Sequence, residues 1–507
     1  MNLSIISALL VETFLLASFF ILIGLLYLIY NIITAYIISW IYVFGTGLIL
    51  FWLVTSEWTP SPAEIKKRKE TFVVIVGAGF SGICAAIRLK KERIRFVLIE
   101  KSDNLGGTWL DNKYPGCGSD IISFLFCFSF KPNYFSSSSY VKQSEIRAYL
   151  EDTVDHYGVR EHMWFGSKVE KCEFDDVHKT WSVKTSTGDE IKCNYIISGI
   201  GALHKPNFPE IQGTDDFKGD QIHTAQWNTS FDWTDKRVGI IGTGAAAIHA
   251  VPKLGSSPGG CKELHVFQRT PPWIISMLNP GHSKFFQKCL QHVPMLMKLC
   301  RFYIFFRQEL IYKMLFSKDS LGNLIYRRAF ALIMRKQIDD PSMRDDFIPN
   351  YQIFCRRIGI SNSYLSTFNS TDGNGNKKVH LVTDEIVKMT ENSIVVKKSI
   401  KDSSSKEPTL TTTNEESRKI ELDAIIYATG FDVLNSLKNI DIRRPSDGQS
   451  IGDVWEDTPN AYLGIMAPQF PNFFILLGPN TALGMVHTFF INNLRSNHGN
   501  HNGLLKD

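Results

Sequence analysis

The chain has 507 residues, 44% of them apolar and 21% charged, with a formal net charge of +5 at pH 7. That length leaves room for two nucleotide-binding domains and an extra segment, and the balance is that of a globular protein. No Lys/Arg block resembles a nucleic-acid-binding arm, so nucleic acid is excluded as the expected partner. The nine cysteines are odd in number and never spaced as CxxC, which suits reduced thiols and excludes a dithiol reductase.

Between residues 5 and 54 the only acid or base is Glu12, and no Lys or Arg precedes Lys66. Residues 1–58 are therefore predicted to be a membrane anchor of one or two transmembrane helices, since about 20 apolar residues cross a bilayer. A cleavable signal peptide would need a basic start and a shorter apolar run. Residues 59–70 read as a linker. Within it, Lys66-Lys67-Arg68-Lys69 hugs one end of the anchor and places the catalytic part in the cytosol, where an endoplasmic-reticulum membrane fits.

Next, Phe72-Val-Val-Ile-Val76 predicts a strand running into Gly77-Ala78-Gly79-Phe80-Ser81-Gly82 and then a helix. In such a turn Gly77 permits the bend, Gly79 lets backbone approach a pyrophosphate, and Gly82 lets the helix pack on the strand. The helix N-terminus, with Ser81 in its first turn, faces the phosphates. A second strand, 96–99, ends at Glu100, an acid placed to accept hydrogen bonds from an adenosine ribose.

The pattern recurs at strand 237–241, followed by Gly242-Thr243-Gly244-Ala245-Ala246-Ala247, a helix, and strand 264–267. Here the second strand ends in Gln268-Arg269 with no acid. A 2′-phosphate would meet a guanidinium there, so NADPH is expected over NADH. Two dinucleotide folds in one chain, the second inserted in the first, imply hydride transfer from NADPH to a flavin.

Gly106-Gly107-Thr108-Trp109-Leu110-Asp111-Asn112-Lys113-Tyr114-Pro115-Gly116-Cys117-Gly118-Ser119-Asp120 resembles the GGxWxxxxYPGxxxD pattern of the Baeyer–Villiger monooxygenases. Between the two units, Phe217, Gly219, His223 and Trp227 match the family's FxGxxxHxxxW fingerprint, whose final Trp differs in the sister N- and S-oxygenases; Asn228 departs from the Pro or Asp usual after it. Gln268-Arg269-Thr270-Pro271, Cys355-Arg356-Arg357, the run 423–430 and Gly478-Pro479-Asn480 resemble the family as well.

The resemblance implies FAD and NADPH as cofactors and the insertion of one oxygen atom of O2 beside a hydrophobic carbonyl through a C4a-peroxyflavin, turning a ketone into an ester or lactone. By the same resemblance Arg357 is the fixed cation that keeps the peroxide anionic, Asp120 orients that arginine near the flavin, and Gly107, Thr108 and Trp109 line the FAD site. Arg356 joins Gln268 and Arg269 at the NADP phosphate. His223 is given a hinge role and Trp227 a packing role. Read in isolation, Asp120 would be a helix cap and Arg269 a solvated surface arginine.

The fold class expected is α/β, with two Rossmann-like domains behind the anchor. Residues 71–215 form the first part of the FAD domain and 216–234 the connector with the fingerprint. Residues 235–377 form the NADP domain, with a helical insertion at 275–345 that helps to enclose the substrate. Residues 378–490 complete the FAD domain, 402–418 are a polar loop, and 491–507 a polar tail. In that tail His498 and His501 lack further ligands, and no metal site is expected. Two alternatives stand beside the main reading: a flavin-containing N- or S-monooxygenase, and a shortened flavoprotein that oxidises NADPH without oxygenating a substrate.

Overall fold

The glycine turns join buried apolar strands to helices whose buried faces mix glycine and alanine with branched apolar residues. In the computed structural model this builds two parallel sheets. The structure describes residues 62–256, 259–276, 279–315, 321–353, 356–398, 417–456 and 458–481. The predicted anchor at 1–58, Cys355, most of the 402–418 loop and the polar tail lie outside the described residues. Among the described residues, no helix is long and apolar enough to cross a membrane.

In chain order the elements that position the site are β1 (Val73–Val76), α1 (Phe80–Lys91), β2 (Phe96–Ile99), β3 (Met163–Trp164), β4 (Tyr195–Ser198), β5 (Asp220–His223), β6 (Arg237–Ile241), α2 (Ala245–Gly255), β7 (Glu263–Phe267), α3 (Pro294–Leu315), α4 (Leu321–Arg335), β8 (Val379–Val382), β9 (Ala424–Tyr427) and β10 (Phe473–Ile475). The first sheet has the order β10-β4-β1-β2-β3 and is parallel throughout. The second has the order β8-β7-β6-β9-β5 and is also parallel.

Strands covered on both faces explain why these runs read as continuous Val/Ile/Leu rather than as alternation. Every residue of β1, β2 and β9 is buried. In each sheet the order reverses beside the first strand of the unit, which is where such folds bind dinucleotides.

The sheet pairings correct the expected domain boundaries. Residues 378–427 were assigned to the FAD domain, yet β8 pairs with β7 and β9 with β6, so this stretch completes the second sheet. The connector is likewise not free-standing, because β5 carries its His223 and forms the edge of that same sheet against β9. The first sheet regains the chain only at β10, beside β4. A four-stranded sheet, Val169–Asp175, Thr180–Thr185, Glu190–Cys193 and Asp441–Arg443, accompanies it.

Candidate active site

Both glycine turns are fixed by the same close approach. Gly77 has φ +99°, and a Cβ there would lie 2.9 Å from the Gly199 carbonyl oxygen, just beyond β4. Gly242 has φ +108°, and its Cβ would lie 2.5 Å from the Ala428 oxygen, just beyond β9. The chain leaving the neighbouring strand thus presses on each turn, and only glycine fits. At the third position the units differ: a Cβ on Gly82 would sit 1.8 Å from the Gly77 oxygen, whereas Ala247 is accommodated fully buried.

The residues present fit two dinucleotides. Gly79 and Gly244 start α1 and α2, and neither helix has a side-chain cap, which leaves first-turn N–H groups for phosphate oxygens. A Cβ on Gly244 would touch nothing within 4 Å, and one on Gly79 would meet only Gly107 Cα at 3.8 Å. These glycines keep space open for something other than protein.

The first site gathers motifs that are apart in sequence. Gly106 N–H donates to the Ala78 carbonyl at 2.9 Å, which lays the 106–109 segment against the Gly77 turn. Gly107, at φ +54°, starts the short helix Thr108–Asp111, and Trp109 packs edge-on to Phe126 at 5.4 Å. Glu100 is buried, and its carboxylate accepts N–H from Ala78 at 2.6 Å and from Ser102 at 2.9 Å. It pins the glycine turn, a role that the sequence pattern did not reveal. Beside it Lys101, Asp111, His204 and Phe431 line a cavity of about 150 Å³, which does not reach Asp120 or Arg357.

At the second site Thr243 Oγ1 donates to the Thr270 carbonyl at 3.1 Å, tying the glycine turn to the loop after β7. Gln268 is buried, and its Nε2 donates to the Asp346 carbonyl at 2.8 Å. Its Oε1 has no partner among the described residues and so remains an acceptor at the site. Arg269 is exposed, Ala245 is exposed in the first turn of α2, and Arg356 lies over the Tyr351 ring at 5.0 Å.

The structure brings Asp120 and Arg357, 237 residues apart, into an ion pair between Oδ1 and Nη2. The carboxylate is 10% exposed and the guanidinium 54%, so the pair is held on the acid side and open on the arginine side. One turn of α2 assembles it. A Cβ on Gly116 would lie 2.3 Å from the His249 carbonyl oxygen, seating the segment before Asp120 on the helix. A Cβ on Gly359 would lie 2.3 Å from Ile248 Cδ1, seating the segment after Arg357 on the adjacent residue.

Sequence reasoning missed the groups around this pair. His249 is largely buried with its Nδ1 unpartnered among the described residues; burial lowers its pKa, Asp120 opposes this and Arg357 adds to it. Burial raises the Tyr114 phenol and pushes the Cys117 thiol up to about 11, so both stay protonated. Tyr114 and Cys117 stand inside a quoted motif, but a histidine on a helix reads from sequence as one more core residue.

The fingerprint residues perform structural work. Phe217 packs with Ile241, Phe267 and Tyr427, and a Cβ on Gly219 would meet the Asp423 oxygen at 2.4 Å. His223 is buried, its Nδ1 accepts the Ala225 N–H at 3.0 Å, and burial lowers its pKa against the pull of the Gly430 carbonyl. Trp227 packs with Phe231 and Trp233.

A family model described as pyridine nucleotide-disulphide oxidoreductase matches residues 74–283. A Baeyer-Villiger monooxygenase of Pseudomonas aeruginosa is 34% identical over 430 residues, covering 84% of this chain and 75% of its own length. Among solved structures, cyclohexanone monooxygenase from Rhodococcus sp. Phi1 bound to NADP+ superposes with a TM-score of 0.71 at 25% identity, over 85% of this chain and 84% of that one. OTEMO in complex with FAD and NADP gives 0.70 at 27% identity, over 84% of each chain. These likenesses establish that the chain belongs to the Baeyer–Villiger monooxygenase family.

Proposed function

We propose that this protein is an FAD- and NADPH-dependent monooxygenase that inserts one oxygen atom of O2 beside the carbonyl of a hydrophobic ketone. The reaction consumes ketone, O2, NADPH and a proton and yields ester or lactone, NADP+ and water. The observation that carries the reading is the Asp120–Arg357 pair, assembled from both nucleotide units on one turn of α2. When bound, NADPH and FAD supply the redox chemistry, reducing the flavin so that O2 is activated for transfer.

The remaining work belongs to the chain. The first turns of α1 and α2 hold pyrophosphates through backbone N–H groups. Glu100 holds a ribose hydroxyl, Gln268 offers Oε1 as an acceptor, and Arg269 and Arg356 hold a 2′-phosphate. Arg357 supplies a positive charge that cannot be lost as a proton, which favours an anionic oxygen nucleophile over its protonated form. Asp120 fixes the direction of that guanidinium while leaving other N–H groups to face the reacting oxygen. Residues 1–58 tether the enzyme to a membrane with the catalytic part on the cytosolic side; the long uncharged run and the basic cluster at 66–69 support this.

Side-by-side turnover of an apolar ketone and a thioether under labelled O2 tests the chemistry. One labelled oxygen in an ester or lactone is expected. Sulfoxidation alone, with no ester from any ketone, would overturn the assignment.

A further inference from the structure

The helical insertion has two unlike faces. On the inner side of α3, Met297 is fully buried beside Ile122 and Phe124, and Arg301 Nη1 donates to the Phe124 carbonyl at 2.7 Å. This face packs on the segment that follows Asp120. On the inner side of α4, Ala331 and Met334 join the core of the second unit.

Among the described residues the outer side is apolar and uncovered. Along α3, Met295, Phe302, Phe306 and Leu310 recur at spacings of seven, four and four residues, which places them in one row, with Phe302 61% and Phe306 56% exposed. On α4, Leu324, Ile325, Leu332 and Ile333 are exposed in the same way. Basic residues are interleaved one turn away: exposed Lys298 sits between Met295 and Phe302, and exposed Arg328 between Leu324 and Leu332. Helix α4 has no acidic residue. Large apolar side chains rimmed by an excess of cations, with Glu309 the single acid on the two helices, are the composition of a helix lying in a lipid interface, where rings enter the acyl boundary and cations meet anionic headgroups.

We propose that the outer faces of α3 and α4 dock on an anionic lipid surface. Two observations favour lipid over a second copy of the chain. Paired copies would bring Lys298 and Arg328 together with Glu309 the single acid that α3 and α4 offer between them, and the sequence carries a 50-residue stretch, 5–54, whose only charge is Glu12. Because the inner face of α3 borders the segment beside Asp120, the docked helices would admit an apolar ketone from the bilayer rather than from water. This deepens the proposed function and rests on it only for the substrate.

The test uses the full chain in phosphatidylcholine vesicles containing about 20% phosphatidylserine, with plain or brominated acyl chains. The F306W substitution should add emission that is blue-shifted and about half or more quenched by brominated lipid. The double substitution F302E/F306E, checked for retained flavin and helix content, should raise KM for a lipid-partitioned ketone roughly tenfold, the loss expected when apolar contact with the bilayer is removed, and leave a water-soluble ketone unchanged.

Unquenched added emission overturns the proposal. So does unquenched emission accompanied by a change from dimer to monomer in F302E/F306E, which would assign the face to self-association. Carbonate washing of the parent protein reports separately on the tether at 1–58, so a washed-off protein whose added emission is still quenched before washing sinks the tether and leaves the docking face standing.

Discussion

Replacing Arg357 with Ala separates the role of the guanidinium in chemistry from its role in structure. With 54% of the side chain exposed, the ion pair itself contributes at most about 1 kcal/mol to stability. Leaving the nearly buried Asp120 without its partner adds a desolvation cost of about 1–3 kcal/mol. Since the entropy of unfolding is about 2.1 cal/mol/K per residue, about 1 kcal/mol shifts Tm by roughly 1 °C in a chain of this size, and the variant should melt a few degrees early but fold. The effect on oxygenation should be far larger. Removing a fixed group that stabilises developing negative charge costs about 10²–10³ in rate. The assay follows NADPH at 340 nm, ester by chromatography and hydrogen peroxide in one vessel. Ester should fall at least about a hundredfold while NADPH is still consumed and its electrons appear as peroxide. Arg357→Lys, which keeps the charge but loses the fork, should recover only part of the ester. An unchanged ester-to-NADPH ratio in Arg357→Ala would refute the argument, as would parallel loss of NADPH oxidation and ester.

The glycines divide by what a Cβ would meet. Gly244→Ala should leave Tm unchanged, because nothing lies within 4 Å, and raise KM for NADPH; Gly82→Ala, with backbone at 1.8 Å, should fail to fold or lose FAD altogether. A melting curve of Gly244→Ala depressed by many degrees would contradict this. Arg269→Ala and Arg356→Ala should each raise KM for NADPH about 10–100-fold and leave NADH unaffected, the size of a lost charge-assisted contact; equal effects on the two nucleotides would remove both residues from the phosphate site. On adjacent strands β7 and β8 the His265 and His380 rings stack at 4.8 Å, and burial, then His380, pushes the His265 pKa down to about 4. The neutral ring is thus favoured in the fold, so its contribution is full above the unfolded value of about 6.5 and is lost as pH falls toward 4. His265→Phe should flatten the Tm-versus-pH curve in that window, with Glu263, Lys377 and Arg418 still facing the site; an unchanged slope would show that another group governs acid unfolding.

What was legible in the sequence is what local backbone chemistry dictates. The strands before Gly77 and Gly242 and the helices after them were placed within a few residues, because buried β-branched runs and glycine turns act over short distances. Which strands become neighbours was not legible in the same way. Residues 378–427 are expected in the FAD domain but lie in the second sheet, since nothing in Val379–Val382 or Ala424–Tyr427 records that β7 and β6 are their partners. The Asp120–Arg357 pair was reachable only through resemblance, because no local rule couples side chains 237 residues apart.

Its physical cause is nevertheless written in two glycines, Gly116 inside the quoted GGxWxxxxYPGxxxD pattern and Gly359 outside every motif. Gly116 and Gly359 each remove a side chain where backbone must lie against α2, at His249 and Ile248. The first turn of α2 is left uncapped for a nucleotide, and its next turn seats both halves of the ion pair. Binding NADP at one end of this helix and orienting Arg357 in the middle of it are consequently one structural problem. A shift of α2 that improved nucleotide contacts at the cost of Gly116 or Gly359 packing would separate Asp120 from Arg357. That is why the second Rossmann unit cannot be treated as a detachable reductase: its helix also seats the Asp120–Arg357 pair on which the proposed oxygenation rests.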